Sequence, residues 1–196
     1  MKTTLVLTRH GVTTANLKGA FAGWTDVDLS EDGKLQAQHL ATKLDRFKFD
    51  KIYSSDLTRA VETAKPTALS QGISITTDKD LREMFFGEWE NKVEEQIELE
   101  FPNQVNLWLT DTAKCYIENG ETLNEFIQRV TNAVKRIAFE NQNKTILIVT
   151  HGGVLRAIRG SLFGEPKWDL KYHPQNTALT VVEVEGQAFK LIEDNV

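Results

Sequence analysis

The chain has 196 residues, 40% of them hydrophobic and 26% charged, a composition that suits one globular domain with a substantial core. Its formal net charge of −5 excludes a general nucleic-acid or membrane-surface binder, because phosphate backbones and anionic lipids reward net positive charge. The single cysteine, Cys115, excludes a disulfide framework and a cysteine-based metal cluster, and reads as a bystander thiol. Neither a secretory h-region nor an apolar run approaching the ~18 residues of a membrane span is present, so a cytoplasmic location is expected.

Residues 3–8 (TTLVLT) predict a first strand, which ends abruptly in Arg9, His10 and Gly11. Residues 10–29 lack helical periodicity and read as a long loop. Ser30 is a good N-cap for a helix whose apolar positions are Ala37, Leu40, Ala41, Leu44 and Phe47. A short strand at 51–53 leads into Ser54-Ser55, read as the cap of a second helix through Leu57, Ala60, Val61 and Ala64, which Pro66 should kink or end. Residues 73–76 (ISIT) form another short strand, followed by "LREMFFGEWE" and a charged, weakly helical stretch that Pro102 interrupts. The helix over 121–141 carries the clearest apolar stripe, with Thr122 and Glu125 placed as a capping box. Residues 145–150 (TILIVT) read as a strand buried on both faces, running into His151-Gly152-Gly153 and a helix over 154–162. A hairpin closes the chain, 178–184 and 188–193 about Gly186-Gln187. Alternating strands and helices predict an α/β three-layer sandwich with a mostly parallel central sheet, as a single domain over 1–196 with a small inserted cap at roughly 85–120.

Two strands end alike: "LVLTRHG" and "LIVTHGG". Ligands of open α/β sheets sit outside the carboxyl ends of the strands, so neighbouring strands would bring His10 and His151 into one crevice. Gly152 and Gly153 open a helix, whose N-terminal amides favour an anion. Either histidine alone could merely cap a strand; the repetition argues for a site. Arg59, in the first turn after a strand, adds a second cation beside Arg9, or else forms an i,i+3 ion pair with Glu62. Glu83, Glu88 and Glu90 are the acid candidates; spacing alone does not choose among them. A carboxylate set against Met84, Phe85, Phe86 and Trp89 would have its pKa raised, as a general acid requires. No metal-ligand spacing, Walker loop or nucleophile elbow accompanies these groups. Two histidines, two arginines and an acid suit metal-free phosphoryl transfer through a phosphohistidine, since guanidinium forks match phosphoryl oxygens and a neutral imidazole can attack.

The motifs "TRHGVTTAN", "YSSDLTRAVETA", "LREMFFGEWE" and "VTHGGVLRAI", in this order, resemble those of the histidine phosphatase superfamily, phosphoglycerate-mutase-like branch, along nearly the whole chain. The resemblance implies His10 as nucleophile, Glu83 as general acid, and Arg9, Arg59 and His151 as ligands of the phosphoryl oxygens. It also implies Asn16, Ala22, Gly23 and Gly152 in the phosphate pocket, with the Gly11 carbonyl orienting the nucleophilic ring. Val12, Ala22 and Asn91 depart from the family pattern, and Val12 becomes the residue to test for substrate choice. His39 reads as structural or solvated, and His173 as a pocket rim. Phe101, Trp108 and Tyr116 read as packing in the cap.

The implied activity is a phosphomonoesterase acting on a small phosphorylated metabolite, without cofactor, as a monomer or homodimer. Two alternatives stand beside it. One is a phosphoglycerate mutase dependent on 2,3-bisphosphoglycerate, which "GWTDVDLS" resembles. The short acidic stretch 90–100, with Lys92 its only cation, argues against that mutase. The other is a non-catalytic phospho-ligand binding module, which would be expected to have lost His10, Glu83 or His151.

Overall fold

A computed structural model describes residues 2–164 and 168–196; the expected domain also takes in residues 1 and 165–167, which lie outside the described residues. In chain order the elements are β1 (Lys2–Arg9), α1 (Thr14–Lys18), α2 (Glu31–Leu44), β2 (Lys51–Ser54), α3 (Thr58–Gln71) and β3 (Ile75–Thr77). They continue with α4 (Glu94–Glu100), α5 (Pro102–Thr110), α6 (Leu123–Glu140), β4 (Thr145–Thr150), α7 (Gly152–Phe163), β5 (Leu179–Glu185) and β6 (Ala188–Glu193). One sheet in the order β3-β2-β4-β1-β5-β6 organises them, its first four strands parallel and its last two antiparallel.

Successive strand residues face opposite sides of the sheet, and the two cores follow that alternation. Leu5, Leu7, Ile146 and Ile148 pack with α6 and α7 on one face. Val6, Ile52, Leu147 and Val149 pack with α2 and α3 on the other. The three-layer sandwich is therefore written in the strand sequences themselves. The β1–β4 register places Arg9 beside Thr150, and the His10 amide extends the ladder to the Thr150 carbonyl at 2.9 Å. The two strand ends finish in step.

Local details correct the sequence reading in several places. The loop 10–29 holds a short helix, α1, closed by a capping box between Thr13 and Asn16. Five residues are too few to show a periodicity. Ser54-Ser55 does not cap α3; that helix begins at Thr58, whose amide and hydroxyl are bound by Asp26 at 2.8 and 2.7 Å. Pro66 does not end it either. The helix continues to Gln71 because Ala60, Ala64 and Ala68 form one buried edge, and that packing outweighs the roughly 3 kcal/mol a helical proline costs. Pro102 opens α5 at its first helical position instead of merely interrupting the region.

Between 85 and 120 lie the 3-10 turns Gly87–Trp89 and Thr112–Lys114 with α4 and α5. Trp108 packs with Phe86, Trp89 and Trp168, with ring centres 5.7–6.0 Å apart. Lys92 lies over the Phe101 ring. Tyr116, expected to pack, is 63% exposed. Cys115 is buried, donates to the Gln104 carbonyl, and has its thiol pushed up to about 11 by burial. No helix of the described residues is long and apolar enough to cross a membrane.

Candidate active site

The register that ends β1 and β4 together makes His10 and His151 neighbours, with ring centres 5.1 Å apart at 63°. Both are buried, His10 at 5% exposure and His151 at 0%. Burial, then the positive charges of Arg59 and Arg9, holds His10 well below the usual imidazole pKa; burial, then Arg59, does the same to His151. Both rings are therefore neutral near pH 7.

Hydrogen bonds assign the tautomers. His10 Nδ1 lies 2.7 Å from the Gly11 carbonyl, which can only accept, so Nδ1 carries the proton and Nε2 the lone pair. His151 Nδ1 accepts from Arg59 Nε at 3.3 Å, so its proton is on Nε2. That Nε2 is buried with no hydrogen-bond partner, and so is Arg9 Nε. Two buried donors thus lack acceptors beside a ring with an available lone pair. An oxyanion supplies what both need.

Arg59 does not form the ion pair with Glu62 that its spacing allowed; Glu62 pairs with Lys65. Its guanidinium turns inward, 1% exposed, and donates to the Gly23 carbonyl at 2.7 Å and the Thr25 carbonyl at 3.0 Å. Burial draws it down to about 10, opposed first by Glu83, so it remains charged at pH 7. Arg9 Nη1 donates to the Pro174 carbonyl at 2.9 Å.

Among the three candidate acids, geometry separates what spacing did not. Glu83 lines the cavity, whereas Glu88 is exposed and held by Asn119. Glu90 is a loop anchor, accepting from the amides of Trp24, Thr25 and Phe86 and from the Thr25 hydroxyl. The apolar setting expected for Glu83 is corrected. Met84 and Trp89 point into the core and only Phe86 shares the cavity, while the Glu83 carboxylate accepts from the Met84 and Gly153 amides, each at 2.9 Å. The first turn of α7 thus holds the protein's own carboxylate. A Cβ on Gly153 would meet that carboxylate, so a larger residue there would push the Glu83 side chain aside.

A cavity of about 260 Å³ is lined by Arg9, His10, Asn16, Ala22, Gly23, Arg59 and Glu83, together with Phe21 and Phe86. Larger grooves of about 430 and 630 Å³ lie elsewhere; they carry charged side chains, among them Asp28, Lys34, Glu62 and Lys65, but among the described residues no histidine or arginine, so the kind of lining group and not size selects the site. Other predicted residues take different places. Asn16 spends Oδ1 on the Thr13 amide. His151 and Gly152 sit behind the lining, a Cβ at Gly152 falling 3.5 Å from Arg9 Nε. Val12 is not in the lining: its amide meets Gln36 and its carbonyl meets Ser30. His39 and His173 are exposed and outside it. Among the described residues no cluster of three His, Cys, Asp or Glu side chains is arranged to hold a metal ion.

Sequence reasoning missed the supports. Asn176 donates to the His10 carbonyl at 2.7 Å and the Thr177 amide to that of Arg9 at 3.0 Å. Trp24 and Arg129 both donate to the Glu83 carbonyl. Arg156, its guanidinium lowered by burial and raised by the nearby Glu83, donates twice to the Tyr172 carbonyl. Arg156 lies within VTHGGVLRAI and Trp24 within GWTDVDLS, yet no local pattern gives their roles, because the partners of these residues lie 16 or more positions away.

Comparison with known proteins gives the chain a family. Residues 5–196 match the profile of the histidine phosphatase superfamily (branch 1). The chain is 34% identical over 162 residues to the adenosylcobalamin/alpha-ribazole phosphatase of Escherichia coli (strain K12), covering 83% of this chain and 80% of that one. It is 28% identical over 195 residues to phosphoserine phosphatase 1 of Hydrogenobacter thermophilus, covering 98% and 92%. Among solved structures, Bacillus stearothermophilus YhfR superposes with a TM-score of 0.93 at 32% identity, over 98% of this chain and 96% of that one.

Proposed function

The chain belongs to the histidine phosphatase superfamily (branch 1), and from that premise we propose that it hydrolyses monoesters of small phosphorylated metabolites through a phosphohistidine on His10. The observation that carries this reading is the pair of buried, unpartnered donors, Arg9 Nε and His151 Nε2, beside a neutral His10 whose lone pair is on Nε2. In this mechanism Arg9, Arg59 and His151 bind the phosphoryl oxygens and stabilise the charge that develops there. His10 Nε2 attacks phosphorus and the ester P–O bond breaks, while Glu83 in its acid form protonates the departing oxygen. Water then attacks the phosphohistidine, Glu83 takes the water proton, the N–P bond breaks and neutral His10 returns. Two guanidinium groups supply the charge neutralisation that a metal would otherwise provide, which supports a metal-free reaction. The names of the relatives make ribazole-type phosphates and phosphoserine the first esters to try. A phosphorylated metabolite as substrate also supports a cytoplasmic site of action.

Hydrolysis is favoured over mutase chemistry by the cavity lining. Among the described residues its lysines and arginines are Arg9 and Arg59 alone, both engaged by the phosphoryl group, so the described lining offers no further cation to a second anionic group on the substrate. The test is a panel of phosphate esters that includes 3-phosphoglycerate, with and without 2,3-bisphosphoglycerate. Phosphate release faster than isomerisation is expected, and the reverse would overturn the reading.

A further inference from the structure

The segment carrying Glu83 has little regular structure of its own. The 3-10 turn Lys79–Leu81 precedes it and Gly87–Trp89 follows. Its main-chain carbonyls therefore need partners from elsewhere. One side chain collects three of them. Arg129, on α6, donates from Nη1 to the carbonyls of Asp80 and Arg82 at 3.0 and 3.1 Å, and from Nη2 to that of Glu83 at 3.1 Å. The same guanidinium makes a two-pronged pair with Glu121, both contacts at 2.7 Å. Glu121 in turn accepts from the Phe85 amide and donates its own amide to the Phe85 carbonyl, each at 2.9 Å. A second donor, Trp24 Nε1, reaches the Glu83 carbonyl at 2.8 Å. The Trp24 ring lies 4.9 Å from the Arg82 guanidinium and 5.0 Å from the Phe85 ring.

We infer that Arg129, assisted by Trp24, is the positioning residue for proton transfer: it fixes the main chain of residues 80–85 so that Glu83 meets the leaving oxygen, without touching the reacting atoms. The inference rests on Glu83 being the proton donor of the proposed reaction. The physical case is that Glu83 has its side chain set by two amides and its main chain set by two side-chain donors, so both ends of the residue are held. The planar fork of an arginine can span three carbonyls and a carboxylate at once; a lysine ammonium, with three donors on one nitrogen, cannot. A misplacement of roughly 1 Å is enough to cost on the order of 10²-fold in rate. Such a loss falls only on substrates whose leaving group needs the proton.

That selectivity is the test. The ratio kcat/KM, which reports steps up to leaving-group departure, is measured for p-nitrophenyl phosphate, whose phenolate departs unprotonated, and for a primary alkyl phosphate, whose alkoxide does not. Arg129→Lys keeps the positive charge and loses the fork. It is expected to lower the alkyl value about 10- to 100-fold and the aryl value less than about threefold. Trp24→Phe keeps a ring and removes Nε1–H, and is expected to show the same selectivity, about tenfold on the alkyl ester. It carries the test alone if Arg129→Lys does not fold. In a Glu83→Gln background, Arg129→Lys is expected to add nothing to the alkyl-ester loss. Equal losses on both esters, or full additivity with Glu83→Gln, would overturn the inference while leaving the proposed function intact. If Glu83→Gln itself spared the alkyl ester, the assignment of Glu83 would fail and this inference with it.

Discussion

The two halves of the site are built in different ways. His10 and His151 are placed by backbone: paired strands in register, one further ladder bond at His10, and near-complete burial. Glu83 and Arg59 are placed by side chains and loops: Gly23 and Thr25 carbonyls under Arg59, and Arg129, Trp24 and the Gly153 amide around Glu83. A sheet fixes the nucleophile cheaply in sequence terms, since two short strand motifs suffice. The cation and the acid depend on contacts gathered from distant parts of the chain. The difference predicts that the second half is the easier to detune without unfolding the protein.

Removing the cation tests this most severely. Arg59→Met, which keeps volume and loses charge, should lower kcat/KM about 10³-fold for every ester, since the lost donor stabilises the phosphoryl group itself. Gly153→Ala should displace the Glu83 carboxylate, lowering alkyl-ester turnover roughly 10²-fold with a much smaller effect on p-nitrophenyl phosphate. Equal losses on both esters would show that the methyl group disturbs the nucleophile half as well.

The nucleophile half should instead announce itself in stability. The folded pKa values of His10 and His151 lie below their unfolded value of about 6.5, so the unfolded chain binds more protons as pH falls below that value. Stability is therefore retained above about pH 6.5 and lost progressively as pH falls below it. Denaturant unfolding between pH 7 and 5 should show this loss, and His151→Asn should make its slope shallower. A slope unchanged in the variant would contradict the buried-neutral assignment. The smallest effect is expected for Glu90→Gln, which replaces one acceptor of the loop anchor by an amide. Relaxation of residues 22–25 under Arg59 should raise KM about tenfold more than it lowers kcat.

How much of this was legible in the sequence follows the same division. The sheet, its two faces and the approach of His10 to His151 could be read because strand alternation and repeated strand endings are local patterns. Arg59 could be singled out but not oriented, since its direction depends on carbonyls 34 and 36 residues away. Glu83 could be singled out but not its surroundings: of its apolar neighbours Met84 and Trp89 face the core and Phe86 shares the cavity, while its own carboxylate turns towards α7. Val12 drew notice for its departure from a family pattern, yet its main chain anchors the α2 end of the loop and its side chain is outside the cavity. Arg129 and Asn176 carry no signature that one sequence could reveal, and Trp24, though within GWTDVDLS, shows nothing there of its role, because only the tertiary fold brings them to their partners.

The central claim is that His10 takes up the phosphoryl group. Rapid acid-free denaturation of enzyme turning over a ³²P-labelled ester, followed by peptide mapping, tests it most directly. The account predicts an alkali-stable, acid-labile label on the peptide containing His10, absent in His10→Ala together with at least a roughly 10⁴-fold loss of hydrolysis. A label on any other residue, or full hydrolysis by His10→Ala, would contradict it.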